Sequence, residues 1–207
     1  MMINLQMKKE LVFSVCALVI GILQIVVILV SWLITAAMPD VFMRSLLSNE
    51  GVRWFFGHFT ENLATPFLVW LLLLSIAYGS LRYSGLLQAI MNPKSLDYPK
   101  HFALHLVIFE LVSFTIVLIL LTVIPHAILL SVTGCLFPSS FSNSIIPIIC
   151  FCICFCSVSY GKMCGSLNSL QSIFHSLTIG VTYSKQLWLL YVLGAELYSS
   201  IRFVFEL

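Results

Sequence analysis

The sequence predicts an all-α, polytopic membrane helix bundle of about five transmembrane helices with one or two interfacial helices. Three observations carry that prediction. Of 207 residues, 60% are apolar and 9% charged, at a mean hydropathy of +1.08; a soluble domain is about 45–50% apolar and about 25% charged. Several uncharged apolar runs reach the roughly 17–25 residues that cross a hydrocarbon core. Neither the strand alternation of a membrane barrel nor a fixed repeat is present. So small a globule could not hide this much apolar surface. The same scarcity of charge argues against disorder, coiled coil and nucleic-acid partners. The net charge of +2 says nothing about partners; the lipid bilayer is the partner that composition implies.

The elements follow in order. Residues 11–35 carry no charge, follow Lys8 and Lys9, and are too long for the apolar core of a cleaved signal peptide. They read as the first span. Residues 63–81 read as the second, with Pro66 tolerated in the first turn. Residues 102–124 and 187–205 read as the third and last. Residues 145–160 are apolar but short, with Pro147 in their first turn, and 126–137 are shorter still. Residues 40–62 mix Phe42, Trp54, Phe55, Phe56 and Phe59 with Arg44, Glu50, Arg53, His58 and Glu61. That spacing suggests an amphipathic helix, either lying in the membrane interface or packed on its own bundle. Residues 91–100 hold Asn92-Pro93 and Tyr98-Pro99, the breakers of a short basic loop. Residues 165–184 suggest a second interfacial helix around Leu170, Ile173 and Phe174.

Residues 126–160 admit two topologies: a fourth span at 145–160, or a re-entrant hairpin that never crosses. Cytoplasmic loops collect Lys and Arg. With five spans and the N-terminus inside, Lys8, Lys9, Arg82, Lys94, Lys100, Lys162 and Lys185 are cytoplasmic, and Arg44, Arg53 and Arg202 outside, a split of seven to three. The hairpin gives six to four. Five spans, N-terminus in and C-terminus out, is the expectation.

Residues 45–90 carry an ordered set comprising Ser45, Leu46, Leu47, Glu50, Gly51, Arg53, Trp54, Asn62, Pro66, Gly79, Ser84, Gly85 and Leu86. This set resembles the first loop and second span of the p-aminobenzoyl-glutamate transporter (AbgT) family. Pro138-Ser139-Ser140-Phe141-Ser142-Asn143 more loosely resembles the tip of that family's first re-entrant hairpin. The resemblance implies a candidate binding tip at Ser139, Ser140, Ser142 and Asn143; the residue types alone equally describe a plain turn. It also implies a bacterial inner-membrane location, and a second, inverted repeat of which residues 165–207 show no trace. Inverted-repeat transporters build their site between halves. The expectation is therefore a chain that pairs with itself or serves a larger complex.

Glu110 and Glu196 fall inside the third and fifth spans. An ionised side chain at mid-bilayer costs roughly 2.5–3.5 kcal/mol on insertion scales, so each must face protein or water. Ser113 lies one turn from Glu110, and Ser199 and Ser200 lie one turn from Glu196. These five are candidates for a proton or cation relay, or for helix contacts. Arg202 has Glu206 as its natural local partner, four residues on. His101 and His105 share a face, but Glu110 sits about 140° round the helix from His105. Cys150, Cys152, Cys154 and Cys156 diverge along one helix and cannot close a tetrahedron. The reading therefore places no metal and no cofactor. With no phosphate loop, Ser/His/Asp order or HExxH, it places no catalytic residue and no enzyme.

The expected function is a small, non-catalytic membrane subunit resembling an AbgT N-terminal module, scaffolding a larger membrane complex. The alternative is a homo-oligomeric, ion-coupled secondary transporter of aromatic or organic acids.

Overall fold

A chain surrounded by lipid must satisfy its backbone polar groups internally, and a helix does so within one segment. In the computed structural model, which describes residues 2–38, 44–93, 97–123 and 140–206, every long element is helical. In chain order these are α1 (Met2–Ala37), α2 (Asn49–Gly57), α3 (Phe59–Leu63), α4 (Pro66–Tyr83), α5 (Leu86–Met91), α6 (Tyr98–Val123), α7 (Ser140–Met163), α8 (Leu170–Tyr183) and α9 (Lys185–Phe205). Among the described residues, five stretches are long and apolar enough to cross a membrane: Glu10–Ala37, Pro66–Tyr83, Tyr98–Thr122, Asn143–Met163 and Lys185–Phe205. The chain is an integral membrane protein.

Local chemistry sets the boundaries. Pro66 occupies the first position of α4, where its missing N–H costs nothing. Gly85 joins α4 to α5 at φ +83°, a left-handed conformation suited to glycine. Ser169 and Ser172 form a reciprocal capping box at the start of α8. The 40–62 region is not one amphipathic helix. His58 separates α2 from α3, because its backbone at φ −103° and ψ 7° leaves the helical region although its N–H still bonds the Trp54 carbonyl.

The fourth apolar stretch is longer than its hydropathy suggests. Ser140–Asn143 form the first turn of α7, so the segment read as a turn or hairpin tip is helical there. Pro147 consequently sits inside the helix and not in its first turn. The 21 residues from Asn143 to Met163 rise about 31 Å, enough for a core of about 30 Å. Residues 126–137 and Ser139 lie outside the described residues.

The chain divides into two compact units, one comprising Met1–Val69 with Lys185–Leu207 and the other Trp70–Ser184. In the first, α1 packs along α9. Gln24 meets Ser200 through a hydrogen bond, and one turn on Val27 and Ile28 pack against the buried cluster of Leu46, Phe203 and Val204. Numbers rise together on both helices, so α1 and α9 run parallel. Two parallel spans need an odd number of crossings between them, as five spans supply. A non-crossing hairpin would leave two crossings between and turn α9 antiparallel.

In the second unit α6 packs on α7, with α5 against both. Leu86, Ala89, Ala103, Val107, Cys156 and Tyr160 are buried together. A close crossing joins α4 and α8. A Cβ on Gly180 would overlap the Ser75 carbonyl and stand 2.9 Å from the Gly79 Cα. Ser184 donates to Ser75 Oγ at 2.7 Å beside it. Five serines, Ser31, Ser80, Ser157, Ser176 and Ser200, are at most 1% exposed, while large apolar side chains such as Leu170, 86% exposed, face outward. Helices in lipid associate this way, through small residues and interhelical hydrogen bonds, since lipid tails are as apolar as leucine.

Candidate functional site

Two polar sites are built in the first unit. The first lies within the spanning region of α9. Glu196 is 6% exposed, and its Oε2 accepts from Asn62 Nδ2 of α3 at 3.4 Å. Its Oε1 is buried without a hydrogen-bond partner among the described residues. Close by in sequence, the Tyr191 hydroxyl donates to the Leu63 carbonyl at 2.6 Å and lies 2.7 Å from Thr65 Oγ1. One turn beyond Glu196, Ser200 accepts from Gln24 Nε2 at 2.7 Å, while Gln24 Oε1 is a second buried acceptor without a donor among the described residues.

This revises the expected pairing. Glu196 binds neither Ser199 nor Ser200; its partner comes from α3, and Ser200 faces α1. Asn62, singled out through the family resemblance, is the residue that meets it. Nothing in local spacing signals a contact 134 positions apart.

The second site sits where α1 and α9 both end. Arg44 N–H bonds the Val204 carbonyl at 3.2 Å, and the Leu46 N–H bonds Ser31 Oγ at 3.3 Å, so this loop is fastened to both helix ends. Gly51 permits the approach, since a Cβ there would stand 2.6 Å from the Leu46 Cα. Trp54 then stacks on Phe203 with ring centroids 4.3 Å apart and planes 19° from parallel. His58 also stacks on Trp54 at 6.1 Å, and Arg44 lies over Phe203 at 5.7 Å. Beside this column opens a pocket of about 560 Å³ reached by Arg44, Asn49, Glu50, Arg53 and His58.

Arg44 Nε is 2.7 Å from Glu206 Oε1, and its Nη1 is 3.8 Å from Glu50. Glu206 thus partners Arg44, a residue far away in sequence, where local spacing points to Arg202. The cause is backbone: α9 ends at Phe205, and Glu206 turns left-handed at φ 51°, leaving the helix face that Arg202 shares. Arg202 instead lies over the Tyr198 ring at 6.0 Å.

In the second unit, Glu110 is half-buried and one of its carboxylate oxygens has no hydrogen-bond partner among the described residues. Cys156 of α7 lies beside it, with Cys152 one turn earlier on the same helix. Ser113, the expected companion of Glu110, is exposed instead. The i,i+4 spacing of Cys152 and Cys156 was the available signal. His105 Nδ1 contacts the His101 carbonyl at 2.8 Å. Among the described residues no three His, Cys, Asp or Glu side chains gather as metal ligands. Asn143 is exposed in the first turn of α7. Ser84 N–H bonds the Ser80 carbonyl and its own carbonyl accepts from Ser166 Oγ at 3.1 Å.

No family model, curated protein or solved structure matches this chain.

Proposed function

We propose that this protein is a non-catalytic component of a larger membrane assembly, oriented with its N-terminus in the cytoplasm and its C-terminus outside. The observation that carries this reading is the use made of its intramembrane polar groups. Gln24, Asn62, Tyr191 and Ser200 are spent on helix-to-helix hydrogen bonds, the kind of contact that glues helices in lipid. The parallel order of α1 and α9 supports the opposite placement of the two termini. The inner-membrane location and the likeness to an AbgT N-terminal module rest on the residues from Ser45 to Leu86. The outward faces of α1 and α6, on which Leu18 is 61% and Phe109 71% exposed, are where partner helices would pack.

Photo-crosslinking amino acids placed at Leu18 and Phe109 test the reading in native membranes. The expected result is one discrete protein adduct from at least one position; adducts to lipid alone at both would contradict it.

A second reading, a homo-oligomeric ion-coupled transporter of organic acids, draws on Glu196 and Glu110. Each keeps one buried carboxylate oxygen without a partner among the described residues, which a proton or cation would satisfy. Glu196→Gln and Glu110→Gln separate the readings. Abolished ion-driven uptake in vesicles supports transport, whereas unchanged assembly without any uptake supports the scaffold.

A further inference from the structure

Charge at the pocket beside Trp54 is not evenly committed. Arg44 is held by Glu206 at 2.7 Å and by the Val204 carbonyl through its backbone. Arg53, on the same pocket wall, has no ion pair among the described residues and an exposed side chain. Glu50 makes only a loose contact with Arg44 at 3.8 Å. One uncommitted guanidinium thus faces a pocket of about 560 Å³ whose floor is the stacked Trp54–Phe203 pair.

The position of α2 says what meets that guanidinium. At about 100° per residue, Glu50 and Arg53 lie about 60° apart on one side of the helix, Val52, Phe55 and Phe56 form a sector centred about 140° round from them, and Asn49 lies at the boundary. Val52 is 43% and Phe56 75% exposed. Eleven residues, 38–48, separate the helix from the end of one span, and it lies against the end of another through the Trp54–Phe203 stack. An amphipathic helix so placed keeps its apolar side among acyl chains and its charged side at headgroup level, where Trp is also at home. The anion present there in abundance is phosphate, which a guanidinium recognises by paired charge-assisted hydrogen bonds.

We propose that this pocket is a phosphate-group site anchored by Arg53, with a membrane phospholipid headgroup as the source. Arg44 supplies a second, partly neutralised donor, and Asn49 an amide. Glu50 sets the limit on ligand charge, because a carboxylate on the pocket wall opposes a second anion.

The test uses the full chain in vesicles of equimolar phosphatidylglycerol and phosphatidylcholine. Native mass spectrometry after release from the bilayer counts the phospholipid retained by wild type, Arg53→Gln, Glu50→Gln and Arg82→Gln. Arg82 is a control elsewhere in the chain, already engaged over Tyr183. Arg53→Gln is expected to lower retention roughly tenfold or more, as loss of a charge-assisted contact implies. Glu50→Gln is expected to raise it, and Arg82→Gln to leave it unchanged. In lipid-free detergent, inorganic phosphate serves as the other source. If it raises the melting temperature of wild type but not of Arg53→Gln, while lipid retention is equal in both, the site stands with soluble phosphate as its ligand. Equal behaviour of wild type and Arg53→Gln in both arms overturns the proposal, as does an equal loss in Arg82→Gln.

Discussion

Asn62 of α3 donates to Glu196 of α9 across 3.4 Å, and Glu196 is 6% exposed. A polar side chain from the first loop region therefore holds a carboxyl that lies within the last span. Asn62→Ala should destabilise the protein by about 0.6 kcal/mol and at most about 1.7, the range for hydrogen bonds between membrane helices. Glu196→Gln keeps both the shape and the acceptor and should leave stability unchanged. Equilibrium unfolding in mixed detergent and dodecyl sulfate micelles measures both. A loss in Glu196→Gln equal to that in Asn62→Ala would show that the negative charge, not the hydrogen bond, is what Asn62 recognises.

The crossing at Gly180 gives a steric prediction with an internal control. A methyl group at Gly180 would overlap the Ser75 carbonyl, whereas one at Gly194 meets nothing within 4 Å. Gly180→Ala should cost about 1–3 kcal/mol, the usual penalty of overpacking. Gly194→Ala should be neutral or stabilise by up to about 1 kcal/mol through helix propensity. The same micelle titration reads both variants. Equal stability of the two would remove the close α4–α8 crossing from the account.

The proposed sidedness rests on the Lys and Arg distribution, and the parallel run of α1 and α9 supports opposite placement of the termini. Glu61→Cys and Glu206→Cys, both exposed, should react from the outside of intact cells with a membrane-impermeant maleimide. Met91→Cys, exposed at the far end of α5, should react only after permeabilisation. Each is read against the background of the native cysteines, most of which are buried or half-buried among the described residues. Reaction of Glu61→Cys and Glu206→Cys from opposite sides would return the hairpin topology.

How much of this was legible beforehand depends on what each feature rests on. Spans were legible because a run of uncharged apolar residues in lipid has one good backbone solution, and each observed helix overlaps its predicted span. Pro66 was legible as punctuation for the same local reason, whereas Gly85 entered only through the resemblance. The extent of α7 was not, because Ser140–Asn143 are polar and only their continuity with the helix makes them part of it. The break at His58 was equally hidden, since Phe55, Phe56 and Phe59 keep a helical rhythm across it. Partners were the least legible part. Glu196 has serines one turn away that spacing favours, yet the contact it makes is with Asn62, and Glu206, four residues past Arg202, reaches Arg44 through a single left-handed residue. Such contacts depend on which helix lies alongside, and no local pattern encodes that.

Assembly is the centre of this account, and the mass of the native complex tests it most directly. The tagged full-length protein, extracted from its own membrane in mild detergent, would be weighed intact by native mass spectrometry. The expected result is a complex containing this chain in fixed stoichiometry with at least one different integral membrane protein. A homo-oligomer of this chain alone, with ion-driven solute uptake after reconstitution, would contradict it.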